Sequence, residues 1–384
     1  MTRSRPKVAL LIETSNVYSR GLLRGICAFV REGTQWEIHF TEEGCGDAPP
    51  SWFHNWRGDG VIARIENHLI EEAVLLAGMP AVNVSNSALS HEFPTVISNS
   101  EAVCRLAAEH LLERGFQRLG YCGDSRFGWS FHHERYFRRQ VKMAGYDLRV
   151  FNSAKSDSRD WLLEQRKLTR WLKELPKPIG IFACCDIRGQ QLLEVCRQEG
   201  IRVPDEVAVV GHYDDELLCE LCDPPLSSIA PNAPRAGYEA ASILDELMRG
   251  VSVPCTVLPI EPVGVSARKS TDVIAVPDAQ AAAAMRFIRE HAYEGIGVED
   301  VLKAVAMSRT VLERRFQKFF GRSPYDEILR LRIERVKELL TTTDLQMAQI
   351  AQRVGFSGVE YLSAMFKKKL GVSPRAFRRR ASVK

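Results

Sequence analysis

Carboxylates, amides, guanidinium groups and aromatic rings recur at one kind of place in this sequence, directly after short apolar runs. Residues 8–12 are followed by Glu13, Thr14, Ser15 and Asn16, then Tyr18 and Arg20. Arg64 follows 60–63, Ser85 and Asn86 follow 81–84, and Ser98 and Asn99 follow 95–97. Further on, Asp124, Arg126, Trp129 and Arg135 come after 118–122, and Asp186 and Arg188 after 179–184. His212, Tyr213, Asp214 and Asp215 come after 207–211. A carboxylate or an arginine bonds two neighbouring hydroxyls, while an aromatic face covers the C–H surface of a ring. The set therefore suits a small polyhydroxylated ligand.

The apolar runs alternate with amphipathic stretches at 22–30, 70–76, 102–112, 135–143, 190–199 and 237–248. Strands buried on both faces and separated by helices read as βαβ units of a parallel, doubly wound sheet. This many strands before residue 271 predicts two such sheets, a two-lobed α/β core. In such sheets the ligand crevice lies beyond the carboxyl ends of the strands, where the polar set falls. The candidate ligand residues are accordingly Glu13, Tyr18, Arg64, Asn86, Asn99, Asp124, Trp129, Arg135, Asp186, Arg188, Tyr213 and Asp214. Asp and Asn at strand ends also cap helices, and paired carboxylates serve a sugar-modifying enzyme as well as a binder. No GxGxxG follows the first strand, and GxxxxGK[ST], GxSxG and HExxH are absent, so no cofactor is expected. Cys219 and Cys222 have CxxC spacing without a second pair, and no metal is expected.

The 384 residues are 45% apolar and 26% charged, the balance of an ordinary folded protein. The net charge of +4 is uneven: residues 278–384 hold 21 Lys and Arg against 12 Asp and Glu. An acidic body thus precedes a basic end, which predicts a polyanionic partner for that end. No run approaches the roughly 20 apolar residues that span a bilayer. The five-residue run at 8–12 falls short of a secretory core of roughly 7–15, so a cytoplasmic protein without a membrane partner is expected.

Within the basic end a pattern repeats. Val298, Val301, Leu302 and Val305 lie on one helical face, and Met347, Ile350, Ala351 and Val354 repeat the spacing 49 positions later. A short turn follows each, then a second apolar face: Leu312, Phe316 and Phe320, and again Leu362, Phe366 and Leu370. Both copies end in G-x-S-P, and between them Pro324 opens a long helix. This reads as two helix-turn-helix units. Ser308, Arg309, Thr310, Glu313 and Arg314 are the expected base-reading face of the first, and Ser357, Glu360 and Ser363 that of the second. Lys318, Lys367, Lys368, Lys369, Arg375 and Arg378 are assigned to phosphates. The first unit is expected to supply most direct base readout, because the second lacks a long cationic reader.

Two resemblances follow. The βα alternation, Asp186 after a strand, VVGHYDD at 209–215, LSSIAP at 226–231 and SARKST at 266–271 resemble the effector core of LacI-type, periplasmic-binding-protein-like regulators. The resemblance implies two lobes hinged around a sugar over 6–271, with Arg135, Asp186 and Asp214 on ligand hydroxyls. In those regulators a DNA-binding headpiece precedes the core, which here starts at residue 6. Ile350-Ala351, Gly355-Phe356, Phe366-Lys367, Gly371, Ser373-Pro374 and Phe377-Arg378 resemble the AraC/XylS-type DNA-binding domain, expected at 285–380 after a linker at 272–284. Leu362 stands where that family more often has Phe. A LacI-like core joined to an AraC-type reader is similar to regulators that activate xylose-utilisation genes; Tyr18, Arg20, Glu134, Arg135 and the RKST junction at 268–271 share that likeness. Glu13, Arg64, Tyr213 and Asp214 depart from it, which leaves another pentose or carbohydrate open. The resemblance implies no catalysis. Its partners would be double-stranded operator DNA, a sugar effector, RNA polymerase and a second copy in a homodimer.

Overall fold

The computed structural model describes residues 5–44, 47–87, 92–153, 161–276 and 278–381. They form two compact units, Met1–Leu111 with Gln117–Val273, and Leu112–Phe116 with Ile274–Lys384.

The first unit holds two six-stranded sheets. Its strands are β1 (Lys7–Leu11), β2 (Glu37–Phe40), β3 (Gly60–Ala63), β4 (Ala81–Asn83), β5 (Thr95–Ser98), β6 (Leu119–Gly123), β7 (Leu148–Asn152), β8 (Ile179–Ala183), β9 (Val207–His212), β10 (Ser227–Ala230), β11 (Val257–Ile260) and β12 (Gly264–Ser266). The first sheet runs β11-β5-β4-β3-β1-β2 and the second β12-β10-β9-β8-β6-β7, parallel except where β10 meets β12. Alternation along β1 shows why the run is apolar throughout. Val8 and Leu10 pack into one cluster with Tyr18, Leu22 and Leu244, while Ala9 and Leu11 pack into another with Phe53, Ile70 and Val74. Both faces are covered, as a parallel sheet requires.

Helices α1 (Val17–Phe29), α2 (His68–Ala77), α3 (Ser100–Leu112), α4 (Gly128–Met143), α5 (Trp161–Glu174), α6 (Asp186–Gln198), α7 (Glu216–Leu221) and α8 (Ala233–Met248) complete this unit. Between the sheets the chain crosses three times: after β5, after β10 and after β11. The crossings are tied together, since the Asn99 side chain donates to Glu261 at 2.6 Å and the Val263 amide donates to the Ala230 carbonyl at 2.8 Å. Asn99 therefore sits in the hinge.

Unit 2 contains α9 (Ala279–His291), α10 (Val298–Val305), α11 (Arg309–Phe320), α12 (Pro324–Thr342), α13 (Met347–Arg353), α14 (Val359–Leu370) and α15 (Pro374–Ala381). The linker expected over 272–284 is corrected in part. Asp278 caps α9 through the amides of Gln280 and Ala281, and Ala281, Ala282 and Ala284 are buried with Met285 and Ile288. Alanine is the strongest helix former, and its small side chain admits close neighbours, so the alanine run is a packed helix.

Each helix-turn-helix has its own core. Val298, Val301, Leu312, Phe316, Phe320 and Ile328 form one, and Leu329, Ile333, Val336, Ile350, Leu362 and Phe366 the other. The G-x-S-P repeat now has a physical reading. Gly321 ends α11 at φ 67° and Gly371 ends α14 at φ 73°, the left-handed C-terminal stop. Ser323 then caps α12 by accepting the Asp326 amide, and Pro324 takes the first turn. Glu327, fully buried, is held between Arg322 and Arg330, whose guanidinium groups keep its carboxyl below the usual range.

Candidate ligand cavity and nucleic-acid interface

Side chains from both sheets of the first unit line one cavity: Tyr18, Arg64, Val84, Ser85, Asn86, Ile97, Ser98, Ser100, Trp129, His133, His212 and Tyr213. Its centre is aromatic. Tyr213 stands 5.7 Å from Tyr18 and 5.9 Å from Trp129, ring centroid to centroid, and stacks on His212 at 4.3 Å. His133 meets His212 edge-on at 5.0 Å. Burial raises the Tyr18 hydroxyl to about 12, so it stays protonated at neutral pH. Arg64 lies over the Tyr18 ring, bonded to Glu13 and, at 3.0 Å, to Glu66. With its charge matched by two carboxylates, the lining suits a neutral ligand.

Five of the twelve expected ligand residues line this cavity: Tyr18, Arg64, Asn86, Trp129 and Tyr213. The other seven are placed around it. Glu13 fixes Arg64 and accepts from Asn16. Asn99 is in the hinge. Asp124 bonds Arg126 and Ser153, and Arg188 reaches Asp124 at 3.4 Å and Glu164 at 3.1 Å. Arg135 is exposed on α4, over the Tyr136 ring, because the helix turns Trp129 and His133 inward and the residue two beyond them outward. Asp214 pairs with Arg268 at 2.8 Å.

Asp186 is buried beneath the wall that carries Tyr213. It accepts from the Asp215 amide at 2.9 Å and from the Ser228 hydroxyl. Tyr213 at φ 109° and Asp214 at φ 50° occupy left-handed backbone, which non-glycine residues adopt only where their surroundings impose it. The Tyr213 amide donating to the Ile229 carbonyl, and the Asp214 amide donating to the Ser228 hydroxyl that Asp186 holds, are part of that imposition. Burial raises the Asp186 carboxyl from 3.8 to about 7. The folded state thus holds this proton more tightly than the unfolded chain, so Asp186 favours folding below pH 4 and the contribution drains away between pH 4 and 7. Asp186→Asn is expected to remove it: the melting temperature of the variant relative to the parent should rise from pH 4 to pH 8. A difference constant across that range would show that the carboxyl titrates normally.

Ser85, Ser98 and His212 belong to the strand-end set but were not singled out as ligand residues, and His133 and Ser100 were missed outright. His133 follows Trp129 by four positions, one helical face apart by a single turn, and that spacing was the available signal. Among the described residues no cluster of three or more His, Cys, Asp or Glu is disposed to hold a metal. Cys219 and Cys222 are buried, and Cys222 donates to the Leu218 carbonyl.

In unit 2, Ser308, Arg309, Thr310, Glu313 and Arg314 are all exposed at the start of α11. Ser308 caps the helix without committing its hydroxyl. Arg309 is held by Glu299 and Glu313, each at 3.2 Å, whereas Arg314 has no ion pair among the described residues. Ser357, just before α14, and Glu360 on it are exposed, and Ser363 is half-buried. Lys318, Lys367, Lys368, Lys369 and Arg375 are exposed; Lys318 lies over Phe319 and Lys369 is 3.8 Å from Asp326. Arg378 is half-buried and donates to the Leu345 carbonyl at 2.7 Å, tying α15 to the turn before α13.

Residues 7–99 match the XylR N-terminal domain, 108–271 the periplasmic binding protein-like domain, and 301–380 a helix-turn-helix domain. The chain is 32% identical over 386 residues to the xylose operon regulatory protein of Escherichia coli (strain K12), covering 98% of each. It is 30% identical to the protein of the same name from Haemophilus influenzae, covering 98% of this chain and 99% of that one. A solved structure described as the xylose-binding transcription activator xylR matches all of both chains at 30% identity and a TM-score of 0.65. A transcriptional regulator CelR–cellobiose complex shares the fold over 69% of this chain, at 21% identity and a TM-score of 0.56.

Proposed function

The chain belongs to the family of xylose operon regulatory proteins, and from that premise we propose that D-xylose entering the aromatic cavity is what switches its hold on DNA. It is a DNA-binding transcription regulator and not an enzyme, as are the relatives it matches along its whole length. The observation that carries the ligand reading is the cavity, whose walls come from both sheets. A molecule bonded to both walls favours the closed arrangement by its differential affinity for it, which is all that a ligand can contribute to a switch. Neutral polar groups and ring faces there match a pentose.

The exposed end of α11 reads bases in the major groove, α14 positions the duplex, and the lysines of α14 with Arg375 engage phosphates. The protein works in the cytoplasm as a homodimer, recruiting RNA polymerase when sugar is bound. Among the described residues no helix is long and apolar enough to cross a membrane. The test is a titration with DNA that the protein itself selects from a random pool, using D-xylose, L-arabinose and D-ribose. At least tenfold tighter operator binding with D-xylose is expected. Equal binding with and without every sugar would sink the switch.

A further inference from the structure

Two histidines line the cavity with ring nitrogens that lack a hydrogen-bond partner among the described residues. His133 is 3% exposed and His212 2%, and neither the Nδ1 of His133 nor either ring nitrogen of His212 has a hydrogen-bond partner among the described residues. The Cys184 backbone lies beside the His212 ring without meeting hydrogen-bond geometry. Buried polar atoms are almost always paired, so unpaired ones on a cavity wall mark where a partner is missing. Burial lowers His133 to about 3 and His212 well below its ordinary value, so both rings are neutral at pH 7. A neutral imidazole offers one donor and one acceptor, the complement of a hydroxyl.

We propose that His133 and His212 are specificity-determining ligand contacts whose unpaired ring nitrogens bond adjacent hydroxyls of the effector sugar. The inference rests on the sugar reading of the cavity and adds the residues that choose the sugar. Placement supports it. Both histidines belong to the wall built by α4 and β9, whereas Asn86, Ser98 and Ser100 stand on elements at or next to β4 and β5. Trp129 and Tyr213 flank the histidines, giving ring faces for C–H bonds beside polar atoms for hydroxyls. The pair also acts on the empty protein. In this structure these nitrogens are already out of water's reach, and only a ligand bearing hydroxyls there supplies the missing bonds. An apolar or deoxygenated analogue leaves them unpaired.

The experiment uses the full chain, with His133→Phe and His212→Phe keeping an aromatic ring and removing its nitrogens. His133→Asn and His212→Asn restore a polar atom near Nδ1. D-xylose affinity is measured by calorimetry, and melting temperature with and without the sugar. Each Phe variant should lose about tenfold in affinity, and each Asn variant should recover most of it. The sugar-free melting temperature of the Phe variants should stay level or rise, since they lack an unpaired buried nitrogen. Parent-like affinity in both Phe variants overturns the proposal. So does a sugar-free melting temperature that falls, because it would show that the nitrogens already have structural partners. If the unaltered chain binds none of D-xylose, L-arabinose or D-ribose, the sugar reading itself fails, and that failure is seen in the parent and not only in the variants.

Discussion

Phe316→Ala is expected to abolish specific DNA binding while leaving D-xylose binding as it was. Phe316 is fully buried, 4.9 Å from the Phe320 ring, in the core that seats α11. Emptying such a site costs about 3–5 kcal/mol, of the same order as the roughly 5–15 kcal/mol that hold a whole domain together. The cavity proposed for the sugar lies wholly in the other compact unit. Fluorescence anisotropy on the selected operator and calorimetry with D-xylose separate the two effects. Phe366→Ala empties the equivalent place in the second core, where Phe366 meets Phe377 at 5.5 Å. That variant should lose affinity and keep base preference, because α11 stays seated. An operator affinity within threefold of the parent for Phe316→Ala would show that α11 does not depend on this core.

Arg314→Ala should weaken operator binding by about 10- to 100-fold and relax the preference at one base pair. A bidentate contact from arginine to guanine O6 and N7 contributes about 1–3 kcal/mol of discrimination. Arg314 is poised for it, exposed and without an ion pair among the described residues. Arg309 must first leave Glu299 and Glu313, exposed pairs that contribute about 0–1 kcal/mol each, so Arg309→Ala should cost less. Lys368→Ala should weaken all sequences alike and lower the salt dependence by about one released ion. Binding to randomised operators reads these patterns directly. Unchanged base preference in Arg314→Ala would place the reader elsewhere.

The strands that build the two sheets were readable where they are buried on both faces, as at 8–12 and 179–183, because such runs are apolar without a break. Edge strands were not. β2 (Glu37–Phe40) is exposed and alternates Ile38 and Phe40 with polar residues, and β12 (Gly264–Ser266) is three residues long, so neither forms an unbroken apolar run. The helix-turn-helix units were plain because apolar spacing, glycine stops and Ser-Pro starts all agree. The cavity was legible only as a neighbourhood. Strand-end position predicts proximity, but it does not tell whether Asp186 lines the cavity or, as here, braces the loop that does. Nor does it separate Glu13 as a ligand contact from Glu13 as the partner of Arg64. Those distinctions depend on side-chain direction, which comes from packing between elements far apart in sequence.

α12 (Pro324–Thr342) has Ile328 in one core and Leu329, Ile333 and Val336 in the other, and its 19 residues span about 28 Å. The helix is therefore a shared wall with one face in each core, and it acts as a ruler. The separation of the two readers is set before DNA arrives, while successive major-groove faces lie about 34 Å apart. Any mismatch must be taken up by curving the duplex, the softer body of the two. Base steps between the contacted sites, touched by no side chain, would then influence affinity through how readily they bend.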